Sequence, residues 1–191
     1  MFYPLAAVLA AVMVWLALLE DAGELPSGSV SGADTDYRVI RVYGPDLNRF
    51  QPTPALSKQL VQDRAGLILR LQPSGNNFPD APEAGPHFRL APDLATAFAG
   101  RTVRVNVRAR RTGDDGASAL EVSYSLGPQA RSRWQRFDLS EKFANYQFDY
   151  AVPQTDEDFG VDYVGIRPVV AADAGSIEIE SLTLVNLTLW R

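Results

Sequence analysis

The chain has no cysteine, a single histidine and only two lysines, Lys58 and Lys142, so nearly all of its cations are arginines. Without cysteine there is no disulfide, no thiol nucleophile and no thiolate metal site. His87 alone leaves catalysis one imidazole, and the alternation around it puts it at a solvent-facing strand position. No nucleophile-elbow sequence accompanies it, and GDDG at 113–116 has neither the spacing nor the lysine of a phosphate loop. The adjacent acids Asp114 and Asp115, and Asp156, Glu157 and Asp158, fall in polar loops, where carboxylates are ordinarily just solvated. The sequence therefore predicts no enzyme, no cofactor and no metal. A positive surplus is missing as well: 18 Lys and Arg face 23 Asp and Glu, a net −5. This excludes the counterion-releasing surface that a nucleic-acid partner requires.

Long apolar runs are also scarce. The one present, residues 2–19, is uncharged for 18 residues, near the lower length for crossing a hydrocarbon core of about 30 Å as a helix. No Lys or Arg precedes it and Glu20, Asp21 and Glu24 follow it, whereas a cleaved signal peptide has a basic start and small residues at its cleavage site. An uncleaved anchor is expected, with a cytoplasmic N-terminus and the rest of the chain periplasmic or extracellular. Ala6, Ala10 and Ala17 share one face of that helix. Small residues so spaced let helices approach closely in lipid, which makes these three the candidates for packing on integral membrane partners. Residues 20–36, acidic and rich in Gly and Ser, read as a flexible linker.

What remains is organised around residues 100–111, GRTVRVNVRARR. Val103, Val105, Val107 and Ala109 alternate with Arg104, Asn106, Arg108 and Arg110, and only a strand sorts such a pattern into one apolar and one polar face. The same alternation marks strands at 37–43, 67–71, 86–90, 119–126, 134–139 and 146–152, with shorter signals around Val164 and Ile166. Thr53-Pro54 followed by Leu56, Leu60 and Val61 predicts a short helix ending near Arg64. Residues 72–86 hold too many prolines and glycines for regular structure, and a turn carrying Leu94 and Phe98 follows. In the closing segment from Gly175 the apolar phase slips between Ile179 and Leu182, and again between Leu184 and Leu187, as β-bulges would cause. Eight or nine short strands separated by turn signals predict an all-β antiparallel sandwich over residues 37–191.

Several of these signals resemble the galactose-binding-like jelly roll, in particular carbohydrate-binding modules appended to polysaccharide hydrolases. They are Ala99-Gly100 turning into a long strand, a strand of polar-apolar alternation after a Gly-rich turn, a Trp-containing turn, the aromatic strand YQFDYAVP at 146–153, and a closing strand with acidic residues. The resemblance spans roughly residues 37–187. It implies a sandwich with a sugar-binding surface. Glu180-Ser181 stands where the family often has paired aspartates, a departure from its structural calcium site.

Sugar rings stack on exposed aromatic faces flanked by polar groups. Trp134, opposite in phase to Phe137 and Leu139 and on the side of Arg136 and Asp138, is the candidate platform. Tyr124, Tyr146, Phe148 and Tyr150 lie on the apolar phase and are expected in the core. Arg104, Arg108 and Arg110 form a basic stripe for an acidic partner or for cross-strand pairing with Glu121. Two readings follow. One is a non-catalytic accessory subunit of a bacterial membrane complex, held by its helix to integral membrane proteins; the other is a membrane-tethered carbohydrate-binding module with glycans as partners.

Overall fold

A computed structural model of the chain describes residues 24–190 apart from 65, 76, 114, 129, 155–159 and 170–174. Residues 2–19 lie outside it, with Ala6, Ala10 and Ala17, so the anchor rests on the sequence. Among the described residues no helix is long and apolar enough to cross a membrane.

Among the described residues ten antiparallel strands form two sheets packed face to face. The strands are β1 (Val39–Tyr43), β2 (Leu56–Asp63), β3 (Gly66–Pro73), β4 (His87–Leu90), β5 (Thr102–Arg111), β6 (Ala119–Ser125), β7 (Gln135–Asp138), β8 (Ala144–Ala151), β9 (Asp162–Val169) and β10 (Ile177–Asn186). One sheet runs β2-β3-β10-β5-β8, with β1 also on β10; the other runs β4-β9-β6-β7. The alternation in β5 works as its sequence requires. Val103, Val105, Val107 and Ala109 are buried against the second sheet, and the arginines between them face away. Each buried valine contributes roughly 1.5–3 kcal/mol through the surface it removes from water. Aromatic pairs add to the interior: Phe50 meets Phe88 edge-on at 5.1 Å, and Tyr124 of β6 meets Tyr150 of β8 at 5.6 Å. Tyr146, Phe148 and Tyr150 are partly buried against the core, as their phase predicts.

The expected helix at 53–64 is instead strand β2. Leu56 N bonds Thr53 O at 2.9 Å, so Thr53-Pro54 opens a turn, and all eight residues of β2 then pair with β3 up to Asp63 opposite Gly66. Lys58 hid the alternation by standing at an inward position, where its amine donates to the carbonyls of Asn48 and Phe50. The turn around Leu94 and Phe98 is a short helix, α1 (Pro92–Phe98), with proline in its first turn and both apolar residues buried on one side. Of the two phase slips, the first is a bulge: β10 shifts register against β5 between Ile179 and Ser181. The second marks the end of β10, where a 3-10 turn over Leu187–Trp190 begins.

Much of the segment read as a linker is tied down. Val30 bridges β4, its N–H bonding Arg89 O at 2.8 Å and its carbonyl accepting from Ala91 N at 2.7 Å. Asn48 bonds Pro26 O, and Arg49 bonds the carbonyls of Ser27 and Ser29. The folded unit thus begins near Pro26 rather than at Tyr37, and the open edge of β4 is covered. Pro168, read as the end of a strand, lies inside β9. Ile166 N points to Pro86 O, so the nitrogen of Pro168 points the same way, past the end of β4, where no hydrogen bond is required of it.

Candidate functional site

The outer side of the β4-β9-β6-β7 sheet carries the expected platform, Trp134, half-buried and engaged by its neighbours. The indole Nε1 donates to Asp80 O at 2.9 Å, and the guanidinium of Arg167 lies 4.0 Å from the ring centroid. The ring edge reaches the backbone of β9 so closely that a Cβ on Gly165 would stand 2.7 Å from it. Arg167 is itself held by Glu121 at 2.8 Å and by Pro79 O at 3.1 Å, and Arg131 pairs with Asp80 at 3.0 Å. Trp134 is therefore tied to the 79–82 segment and half-buried, with one face occupied by an arginine. Arg136 is exposed beside it.

The adjoining segment overturns the solvent-facing assignment of His87. Its strand phase does point away from the core, but the 82–86 segment covers it, leaving the residue 7% exposed. Its Nδ1 lies 2.8 Å from Gly85 O and its ring meets Tyr163 edge-on at 5.1 Å. Burial holds the imidazole below its ordinary pKa, so it is neutral at pH 7. The nearby hydroxyl of Ser125 bonds Glu83 at 3.0 Å and Gly127 O at 3.0 Å, not the histidine. Among the described residues no three His, Asp or Glu side chains gather to hold a metal.

The outer side of the six-stranded sheet is open. Arg104, Arg108 and Arg110 stand along β5, and the structure corrects their expected partner. Glu121 belongs to the other sheet and pairs with Arg167, whereas β5 lies between β8 and β10. Arg104 pairs with Asp149 directly opposite on β8 through two bonds of 2.7 and 2.9 Å, which holds the Asp149 carboxyl below its usual pKa. Arg108 pairs with Glu180 at the bulge. Arg110 faces Glu178, which also faces Arg70 of β3; this carboxylate is 3% exposed and accepts from both guanidiniums at 2.6 Å. Phe143 lies under the Arg110 guanidinium at 4.2 Å and fixes its plane.

Beside this stripe lies a groove of about 560 Å³. Its cause is topological: β3 pairs with β10 at Ile177–Ile179 and β1 pairs with the same edge of β10 from Ser181 onward. The two strands part at the bulge residue Glu180, leaving a notch. Ile68 and Leu67 give it an apolar lining, Glu180, Ser181, Thr183 and Arg41 give it polar groups, and Tyr43 stands at its rim. Tyr43 is 62% exposed and is, with Leu25, one of the large apolar residues left open among the described residues. Gly44, at φ +57°, turns the chain from β1 into the 3-10 helix Gly44–Arg49 that walls the groove. Lys58 and the N-terminal segment brace that wall from behind through Asn48, Arg49 and Phe50. An exposed ring with donors and acceptors around an apolar floor suits a ligand that has one apolar face and a hydroxylated edge. The signal for Tyr43 was present in the sequence: in VIRVY it shares its phase with Arg41, opposite Ile40 and Val42.

No protein-family model matches this chain, and no curated protein matches its sequence. Solved structures do resemble it. The CBM22-2 xylan-binding domain of Paenibacillus barcinonensis Xyn10C superposes with a TM-score of 0.56 at 11% identity, over 77% of this chain and 98% of that domain. The CBM22-1-CBM22-2 tandem domain of the same protein gives 0.56 at 12% identity, over 78% of this chain and 48% of the tandem. At such identities the likeness is one of fold, and the chain is a jelly-roll β-sandwich like these carbohydrate-binding modules.

Proposed function

We propose that the protein is a non-catalytic module that binds a polysaccharide in the notch between β1 and β3, with residues 2–19 tethering it to a membrane. The observation that carries this reading is Tyr43: an aromatic ring, 62% exposed, at the rim of a groove with an apolar floor and polar sides. A pyranose ring laid on Tyr43 would face the apolar lining at Leu67 and turn its hydroxyls to Arg41, Glu180, Ser181 and Thr183. The fold shared with a xylan-binding domain supports the class of ligand. A membrane-complex subunit has no comparable feature behind it, since among the described residues the outer faces are polar or roofed and present no broad apolar patch. The test is retention of the full-length chain on a panel of immobilised polysaccharides, compared with Tyr43→Ala. Binding lost in the variant at unchanged melting temperature is expected. A chain that binds nothing on the panel, or binds equally well without the Tyr43 ring, removes the proposal.

A further inference from the structure

A second cavity of about 420 Å³ opens on the same sheet face, beside the groove. Arg70, Arg110, Arg111, Thr112, Glu141 and Glu178 line it. The three arginines are not held alike. Arg70 and Arg110 share the buried carboxylate of Glu178, and Asp63 reaches Arg110 from β2 at 3.3 Å, so both are locked by fixed partners. Arg111 instead bonds Glu141 through Nη2 alone, and the Glu141 side chain is 63% exposed. Its Nε is shielded from water and has no partner. An exposed ion pair contributes little stability. A guanidinium that uses one donor and leaves the neighbouring one orphaned is short of its best pairing, in which a planar anion takes two parallel bonds.

We infer that Glu141 is an exchangeable stand-in, and that Arg111 takes the carboxylate or sulfate of an acidic saccharide in its place. A small rotation of Arg111 presents Nε and Nη2 together to such an anion, and Arg70 and Arg110 line the same cavity, with Phe143 keeping the Arg110 plane fixed. Exchange of one anion for another leaves the local charge balance unchanged. The chain's net −5 repels anions at long range, so selectivity arises from this contact rather than from steering. Glu178 and Glu180, two residues apart on β10, belong to this cavity and to the groove respectively. A saccharide seated at Tyr43 and extended along β10 toward Ile177 therefore leads into the cavity that Arg111 lines. This inference rests on the groove being a sugar site and specifies the class of sugar.

The experiment is isothermal titration of the full-length chain in two arms. Oligogalacturonate is compared with its methyl ester, and a sulfated carrageenan oligosaccharide with neutral agarose oligosaccharide; the arm showing the larger ratio identifies the anion. At least a tenfold preference for the charged member of one pair is expected. Arg111→Gln should erase the preference while Arg111→Lys retains part of it, and Glu141→Gln should raise affinity for the charged ligand several-fold. Tyr43→Ala should weaken both members of a pair equally. Equal affinity within both pairs overturns the inference and leaves the glycan reading standing. In parallel, the Arg111 Nε–H resonance is followed with free galacturonate and inorganic sulfate. A shift there without retention of any oligosaccharide keeps the anion site and removes the glycan reading, whereas no shift with either anion and no charge preference overturns the inference.

Discussion

The two sheets of the sandwich follow one rule on their inner sides and opposite rules on their outer sides. Inside, both offer alternate apolar residues to a common core. Outside, the four-stranded sheet is overlain by residues 79–86, which cover His87 and engage Trp134, while the six-stranded sheet leaves Tyr43 and the Arg104–Asp149 and Arg108–Glu180 pairs within reach of solvent. Strand phase says which way a side chain points; it was right for Trp134 and His87, and Tyr43, which the sequence reading passed over, obeys the same rule. Whether an outward side chain is available is decided by the loops, and there the two faces part.

The largest effect should come from the shared core, where the distinction between faces vanishes. Val105→Asp places an unpaired charge at a fully buried position of β5 and should cost about 4 kcal/mol or more, enough to unfold the domain in thermal melts. Next comes a direct contrast of the two aromatics. Trp134→Ala removes a half-buried ring and should cost about 1–2 kcal/mol without altering glycan retention. Tyr43→Ala should stay within about 0.5 kcal/mol of the parent while abolishing retention. If melting temperatures rank the two variants the other way, the roofed and open faces have been misidentified.

A third test concerns the core beneath both faces. Asp162, 3% exposed, accepts a 2.5 Å hydrogen bond from Tyr124, and burial raises its pKa to about 6 despite that bond. Its folded-state pKa exceeds the unfolded value near 3.8. Between those values the native chain therefore keeps a proton that the unfolded chain has released, and stability from this group falls as pH rises. The loss should amount to roughly 2–3 kcal/mol across pH 4 to 6. Denaturant midpoints of the parent and Asp162→Asn over that range should differ in slope in this direction; parallel curves would show the carboxyl to be ionised throughout. The smallest effect belongs to the open face. Arg108→Ser breaks a partly exposed pair with Glu180 and should change stability by no more than about 1 kcal/mol.

The sandwich was legible because β5, β6 and β8 alternate apolar and polar side chains, even though the outward Ser123 and Ser125 of β6 are covered, and a period of two is hard to mistake over seven or more residues. The bulge at Glu180 was legible for the same reason, as a break in that period. β2 was not, because its inward position 58 carries a lysine whose partners, two loop carbonyls, lie outside its own strand. The linker was misread for a similar cause: a Gly- and Ser-rich segment with a single valine gives no period, yet Val30 alone suffices to pair with β4. The groove arises from two strands, far apart in sequence, meeting one edge of a third. Local patterning carries no record of such an arrangement, although the outward tyrosine at its rim was visible.

The position of β10 bears on how the domain is made. It joins β1, β3 and β5, and it supplies Glu180, Ser181 and Thr183 to the groove. During synthesis β1 to β9 leave the ribosome before it does, with β5 and β3 presenting unpaired edges that would each accept a strand from another chain. The pairings that close this sheet reach from Val39 to Val185, which favours slow folding. The interval before β10 emerges is thus the period of greatest exposure to misassembly, and a nascent chain halted short of residue 177 would have neither a closed sheet nor a binding groove.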